Sequence, residues 1–385
     1  MGRGRLAGRS KVGGPALRIA ILGTRGVPGG YGGFETFAEE FGARLVARGH
    51  RVTVYCRTGN TSGSPTTHRG MRLVHLPAIR SKSAETLSHT FLSAAHAALQ
   101  RYDIVYVCNS ANAPICFIPW LRRQRTILNV DGLEWRREKW GRLAKRYYRW
   151  AARLAARMPI EVVTDANVIE RYYREKLNRE TVCIGYGTAL YERGHLRDRL
   201  GAFDLQAERY VLYVSRMEPE NNALLVVRAY RHVVTDLPLV IVGDAPYAKA
   251  YVEQVKSEAD SRVRFLGFRF GDDYHALQAN ATFYVQATEV GGTHPALVEA
   301  MGHRNAIVAH DVPEHREVLG DAGHYFGHRD AGDLAAKMQM LLDDETERER
   351  CRALAAWRVT EKFSWDAVTD SYQRYFDRLR GRVTP

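Results

Sequence analysis

Six glycines fall within eleven residues, from Gly23 to Gly33, directly after a short apolar run from Arg18 to Leu22. The loop reads Gly-Thr-Arg-Gly-Val-Pro-Gly-Gly-Tyr-Gly-Gly and passes through Phe34-Glu35-Thr36 into an amphipathic helical pattern. Glycine loses more backbone freedom on folding than any other residue, so such density is retained where φ > 0 or close backbone approach is required. A strand, a glycine loop and a helix start together present unpaired N–H groups, which suit anionic or polyhydroxylated ligands. Neither G-x-G-x-x-G nor G-K-[ST] occurs in the loop, so it is not the dinucleotide fingerprint and not a Walker A loop. The plain alternative is a flexible surface loop.

A second concentration of chemistry is positive charge. The 385 residues carry 56 Lys and Arg against 43 Asp and Glu, a net +13. Twelve basic residues against three acidic ones (Asp131, Glu134, Glu138) lie between Arg122 and Arg157. Arg142, Lys145, Arg146, Arg149, Arg153 and Arg157 recur at three- and four-residue steps, which on a helix makes one basic stripe. Such a stripe fits an anionic bilayer surface or a diphosphate, and equally an ordinary solvated face. No helix-turn-helix, zinc-finger or aromatic RNA-binding motif accompanies the charge, so nucleic acid is not the expected partner.

The elements that must position these residues follow from the hydrophobic pattern. Candidate strands are Arg18–Leu22, Arg51–Cys56, Arg72–Leu76, Ile104–Val107, Arg125–Val130 and Glu161–Thr164. A second series follows at Tyr210–Val214, Leu239–Val242, Arg262–Leu266, Ala281–Gln286, Asn305–Ala309 and His324–Phe326. Helical stretches fill the gaps, among them Thr36–Arg48, Thr86–Arg101, Arg142–Arg157, Asn221–Val234, Ala248–Glu258, His294–Gly302, Ala331–Asp343 and Ala367–Leu379. This alternation argues for α/β architecture with parallel sheets covered on both faces. The restart near residue 210 argues for two such domains, and paired domains of this kind bind ligands in the cleft between them.

Composition bounds the rest. With 45% apolar and 26% charged residues the chain reads as globular. No stretch approaches the roughly 18 apolar residues of a membrane span. The start is basic without an apolar segment behind it, so it is no secretory signal, and residues 1–15 are expected to form a disordered basic tail. Five scattered cysteines without C-x-x-C spacing fit reduced cytosolic thiols rather than disulfides or zinc.

Several ordered motifs resemble the two-domain GT-B glycosyltransferases, specifically the large retaining family numbered 4. Arg48-Gly49-His50-Arg51-Val52-Thr53-Val54 matches its helix-to-strand run after the glycine loop. Leu22-Gly23-Thr24-Arg25-Gly26-Val27-Pro28, Tyr31-Gly32-Gly33-Phe34-Glu35 and Asn129-Val130-Asp131-Gly132-Leu133-Glu134-Trp135 resemble its rhamnosyltransferase-like branch. So do Ser215-Arg216-Met217-Glu218-Pro219-Glu220-Asn221-Asn222 and the run from Glu289 to Met301. The likeness extends from about residue 18 to 380. It implies an acceptor-binding Rossmann-like domain over 16–190 and a nucleotide-sugar domain over 191–363, facing across a deep cleft. A final helix, 364–385, would pack back on the first domain.

The resemblance also implies roles. Arg216 would contact the donor diphosphate, whose charge grows as the glycosidic bond breaks, and Glu299 would hold the ribose hydroxyls. Gly26, Gly30, Asn222, Gly267, Phe268, Gly291, Gly292, Thr293 and His294 complete the expected donor site. Tyr31, Glu35, Asn109 and Asp131 form the expected acceptor site. Asp131 is the expected polar group at the reaction centre and Glu134 its runner-up, although Asp-Gly is also a common turn pair.

Two departures stand out. The family's usual Lys is Asn222 here, and the first Glu of its Glu-x7-Glu pair is Gly291. No Asp-x-Asp metal motif is present, so a metal-independent reaction without cofactor is expected, the nucleotide-sugar being a co-substrate. The expected enzyme moves a hexose or deoxyhexose, with rhamnose implied by the branch, to a glycan or polyprenyl-diphosphate-linked sugar. It would work in the cytoplasm, at the inner membrane face through Arg142, Arg146, Arg149 and Arg153. A soluble small acceptor and a non-catalytic sugar-nucleotide-binding protein are the readings left open.

Overall fold

The computed structural model describes residues 15–29, 32–60, 63–79 and 84–381. The expected basic tail, Pro15 apart, lies outside the described residues, as do Gly30 and Tyr31. In chain order the first elements are β1 (Arg18–Leu22), α1 (Gly33–Ala47), β2 (Arg51–Arg57), β3 (Thr67–His68), β4 (Met71–Leu76), α2 (Glu85–Ala98) and β5 (Ile104–Cys108). Then come α3 (Phe117–Leu121), β6 (Arg125–Val130), α4 (Arg142–Arg157), β7 (Glu161–Thr164), α5 (Asn167–Leu177) and β8 (Val182–Cys183). The second series is β9 (Val211–Val214), α6 (Ala223–Tyr230), β10 (Leu239–Val242), α7 (Lys249–Ser257), β11 (Val263–Gly267), α8 (Gly271–Ala279) and β12 (Phe283–Gln286). It closes with α9 (Pro295–Gly302), β13 (Ile307–His310), α10 (Pro313–Leu319), β14 (His324–Phe326), α11 (Ala331–Asp343), α12 (Glu345–Arg358) and α13 (Trp365–Gly381).

Two sheets result, in the orders β3-β4-β2-β1-β5-β6-β7-β8 and β11-β10-β9-β12-β13-β14. β3 pairs antiparallel with β4, while β1 with β2 and β5, and β9 with β10 and β12, pair in parallel. Strands such as Leu-Val-Ile-Val in β10 are apolar throughout and wholly buried, as parallel strands covered on both faces must be. In each sheet the strand order reverses once near the middle, between β1 and β5 and between β9 and β12. At such a reversal two neighbouring crossovers depart to opposite faces, leaving a crevice at the carboxyl ends of the strands.

Compactness divides the chain into two units. Unit 1 runs to Val130 and adds Ala151–Val163 and the chain from Thr369 on; unit 2 takes Asp131–Trp150 and Thr164–Val368. The division therefore differs from the boundary expected at residue 190, and Asp131 groups with the second sheet.

In unit 1, α13 contributes Tyr372, which packs on Phe41 with ring centroids 4.6 Å apart and shares a 2.7 Å hydrogen bond with Tyr106. His50, in the Arg48-Gly49-His50 turn, accepts the Leu17 N–H at Nδ1 (3.1 Å) and meets Gln373 Oε1 through Nε2 (2.7 Å). With Nδ1 accepting, the proton sits on Nε2. In unit 2 one core joins β9, β10, β12 and β13 to α6, α7, α11 and Cys351 of α12.

The expected strands all form. α3, α5, α8, α10, α12 and the short strands β3 and β8 are additional to the elements read from the sequence. All five cysteines lie among the described residues and none is in a disulfide; Cys183 is half-buried and the other four are buried.

Candidate active site

The crevice of unit 2 is lined by two loops. One leaves β9 with Ser215 and Arg216; the other leaves β12 and reaches α9 through Gly291, Gly292, Thr293 and His294. They are tied together: the Glu289 N–H donates to the Glu220 carbonyl (2.9 Å), and Asn222 Nδ2 donates to the Ala287 carbonyl (2.9 Å) and to Glu289 Oε1 (2.9 Å). Asn222, expected at the donor, thus spends its amide protons joining the loops. It adopts φ 60°, a left-handed conformation that asparagine tolerates better than most side chains.

Arg216 is held at its backbone, where its carbonyl accepts from Asn221 Nδ2 at 2.7 Å. Its half-buried guanidinium lies 3.6 Å from Glu218 Oε1, and Lys139 Nζ lies 3.5 Å from the same oxygen. Burial alone would raise the Glu218 carboxyl, but these two cations outweigh it and hold the group below its usual range. Lys139 is itself pushed down by burial and by Arg216. Arg216 and Lys139 thus set two cations beside one buried carboxylate, groups of the sign that attracts an anionic diphosphate.

On the α9 side, Gly292 packs so tightly that a Cβ there would come 2.1 Å from Asp165 Oδ1. Asp165 follows β7, accepts the Thr293 N–H at Oδ2 (3.0 Å), and its carbonyl accepts the Thr293 hydroxyl. Its Oδ1 is buried without a hydrogen-bond partner. Burial, reinforced by the nearby Asp131 charge, pushes the Asp165 carboxyl up to about 8. Asp165 is the residue that sequence reasoning missed: its partner Thr293 lies 128 positions away, and a lone acid after a strand carries no motif.

Asp131 and Glu134 behave oppositely. Glu134 accepts from Arg137 Nε (2.7 Å) and from Trp140 Nε1 (3.0 Å). Although burial opposes it, the Arg137 and Lys139 charges keep Glu134 ionised below the usual range. Asp131 Oδ1 is buried with no partner, and burial together with the Glu134 charge raises its carboxyl. Next to it, a Cβ on Gly132 would lie 3.7 Å from Gly291. The structure therefore brings Asp131, Asp165 and the Gly291–His294 turn together. His294 is buried against His315 (ring centroids 4.5 Å), and burial, His315 and Arg137 hold it neutral.

Glu299 receives Tyr186 Oη at Oε1 (3.0 Å) and Tyr274 Oη at Oε2 (2.6 Å). Each carboxylate oxygen has two lone pairs, so one on each stays free for a diol. Gly267 ends β11 at φ 66°, and the Phe268 ring beside it stacks on Phe270 with centroids 6.1 Å apart.

In unit 1 the glycine loop leaves the carboxyl end of β1, and Gly23 packs against the backbone of Cys108 at the end of β5. Gly26, at φ 115°, could not carry a Cβ, which would fall 2.6 Å from Cys56 Cβ. Glu35 is buried at the start of α1 and accepts the Arg25 N–H (2.8 Å); burial raises its carboxyl. Asn109 follows β5 at φ 75° and accepts the Ala111 N–H (2.8 Å). These are turn-holding contacts at a crevice of the same kind.

Arg142, Arg146, Arg149, Arg153 and Arg157 are all exposed on α4, and Lys145 is half-buried. Leu143 (83% exposed) and Trp150 (49%) lie beside the stripe. No helix among the described residues is long and apolar enough to cross a membrane.

Comparison with known proteins agrees with this anatomy. Residues 32–187 match the family model described as a glycosyl transferase 4-like domain, and residues 208–344 that described as glycosyl transferases group 1. Over 176 residues the chain is 27% identical to O-antigen chain mannosyltransferase B of Escherichia coli, covering 44% of this chain and 46% of that one. The chain spans about half the length of the curated relatives it matches.

Two solved structures share the fold. Sucrose-phosphate synthase from Thermosynechococcus elongatus superposes with a TM-score of 0.80 at 18% identity, over 95% of this chain and 99% of that one. HepE of Anabaena, solved in complex with UDP, superposes at 0.75 with 15% identity, over 94% and 100%. Two Rossmann-like domains, each covered by its own family model, make this chain a member of the GT-B glycosyltransferases of family 4.

Proposed function

We propose that this chain is a retaining, metal-independent glycosyltransferase of cell-surface glycan assembly. It would move a hexose or deoxyhexose, with rhamnose the sugar its branch motifs suggest, from a nucleotide diphosphate to a glycan or lipid-linked acceptor. The observation that carries the reading is the crevice of unit 2, where Arg216, the Gly291–His294 turn and Glu299 border the strand reversal between β9 and β12. Arg216 and the N–H groups at the start of α9 stabilise the diphosphate as it gains charge. Glu299 accepts from the ribose hydroxyls, and Phe268 packs near the base. Asp131 orients the acceptor hydroxyl.

In the reaction the anomeric C–O bond to phosphate breaks and a C–O bond to the acceptor forms on the same face. The acceptor proton passes to the leaving phosphate oxygen, so a strong protein base is not required. The relative from Escherichia coli, a mannosyltransferase of the O-antigen chain, supports cell-surface glycan assembly. UDP in the HepE structure supports a nucleotide diphosphate as the ligand. The exposed basic and apolar residues of α4 support peripheral binding to an anionic membrane, where a lipid-linked acceptor resides.

The test is thermal stabilisation by UDP, dTDP, GDP and their sugars, with Arg216→Ala and Glu299→Ala as controls. Stabilisation by one nucleotide, weakened in both variants, is the expected result. Stabilisation by none would end the transferase reading. Retention is checked by the anomeric NMR signal of the product.

A further inference from the structure

Three ligand-type side chains meet at the carboxyl ends of β12, β13 and β14. Glu289 lies in the loop after β12, His310 ends β13, and His328 follows β14. His310 Nε2 is 3.3 Å from His328 Nδ1, Glu289 Oε1 is 3.9 Å from that Nδ1, and one donor atom of each residue lies within 4.8 Å of the other two. Ligand bonds of about 2.1 Å at a near-tetrahedral ion place neighbouring ligand atoms a little over 3 Å apart, so the imidazole spacing already fits.

The arrangement is anchored. His310 is wholly buried, and its ring lies nearly parallel to those of Phe326 (centroids 5.1 Å, 20°) and His328 (5.3 Å, 19°). Asn222 Nδ2 donates to Glu289 Oε1, the role an outer partner plays for a ligating carboxylate. The competing cation is Arg329, which donates from Nε to Glu289 Oε1 (3.1 Å) and, at a longer 3.3 Å, from Nη2 to Oε2. It is 59% exposed and can swing into solvent.

A second group of this kind, His324, Glu347 and Cys351, is less suited. Arg350 grips Glu347 with bonds of 2.7 and 2.6 Å, and burial pushes the Cys351 thiol up to about 12.

We propose that Glu289, His310 and His328 form a binding site for a divalent transition-metal ion of the zinc class. Two imidazoles and one carboxylate suit Zn²⁺, Co²⁺ or Ni²⁺ rather than Mg²⁺ or Ca²⁺. The site requires no nucleotide and stands whether or not the transferase reading holds.

Metal-stripped, untagged protein is titrated with Zn²⁺ by calorimetry and with Co²⁺ by absorption, in the absence of nucleotide. One ion per chain is expected, with cobalt d–d bands and no thiolate charge-transfer band. His328→Ala, at an exposed position, should weaken binding roughly tenfold or more, and Glu289→Gln should do likewise, with unchanged circular dichroism in both. Cys351→Ser should leave binding as it was. Failure to bind Zn²⁺, or binding that His328→Ala leaves intact, overturns the proposal. A thiolate band abolished by Cys351→Ser does the same, by placing the ion at the other cluster.

Discussion

At the scale of single residues, the unusual group is Asp165. Its carboxyl is raised to about 8 by burial and by Asp131, against about 4 in an unfolded chain. A carboxyl whose folded value is raised binds an extra proton in the native state between those two values. Its stabilising contribution is therefore complete below about pH 4 and is lost as pH rises through about 8. Asp165→Asn, which keeps the shape without the titration, should gain stability relative to the parent as pH climbs from 5 to 9. Urea denaturation at stepped pH measures the difference, and a difference that stays constant would contradict the assignment. Arg216 and Glu299 could be singled out in the sequence because ordered motifs surround them. Asp165 could not, because what defines it is a backbone N–H from a distant loop and a glycine too close to carry a side chain. Asn222 was half legible: its departure from the family's lysine is visible in the sequence, but its bond to Glu289 is a fact of the fold.

At the scale of elements, legibility followed hydrophobic pattern. The strands β5, β9 and β10, and β1 after its first residue, are short continuous apolar runs and announce themselves. α5, reading Asn-Val-Ile-Glu-Arg-Tyr-Tyr-Arg-Glu-Lys-Leu, and α12, beginning Glu-Thr-Glu-Arg-Glu-Arg, are charge-rich with thin apolar stripes. Both are fixed by partners outside their own sequence or at their ends. The Asn167 N–H at the start of α5 donates to Glu317 (2.9 Å), and the cap of α12 is Asp344, which accepts the Glu347 N–H (2.9 Å). α4 was legible as a basic stripe, and the structure adds that Leu143 and Trp150 stand exposed beside it. A basic residue near an anionic bilayer contributes about 1 kcal/mol. Reversing Arg146, Arg149 and Arg153 to Glu should therefore lower vesicle affinity by roughly a hundredfold or more, with the parent protein's binding falling as salt rises. Cosedimentation with vesicles containing anionic lipid reads this directly. Equal binding of the two proteins would leave α4 as a solvated face.

At the scale of the whole molecule, the division of labour is between two units, each with its own sheet and its own strand reversal. The all-parallel order of the second sheet sets every strand's carboxyl end to one side, so loops far apart in sequence, after β9, β12, β13 and β14, come to one edge. That edge holds both the proposed donor site and the proposed ion site. The sequence indicated the two halves through the restart near residue 210. It did not indicate that residues 131–150 group with the second half, because that assignment depends on packing between segments far apart in the chain.

The five thiols give each unit its own clock. Cys56, Cys108 and Cys116 are sealed in unit 1 and Cys351 in unit 2, while Cys183 alone is half-buried. A sealed thiol reacts with an aromatic disulfide reagent only when its surroundings open, so its exchange rate reports a local opening free energy. Cys183 should react first. A nucleotide held by unit 2 should then slow Cys351 far more than the three thiols of unit 1, and mass spectrometry of the labelled peptides would resolve the two halves residue by residue.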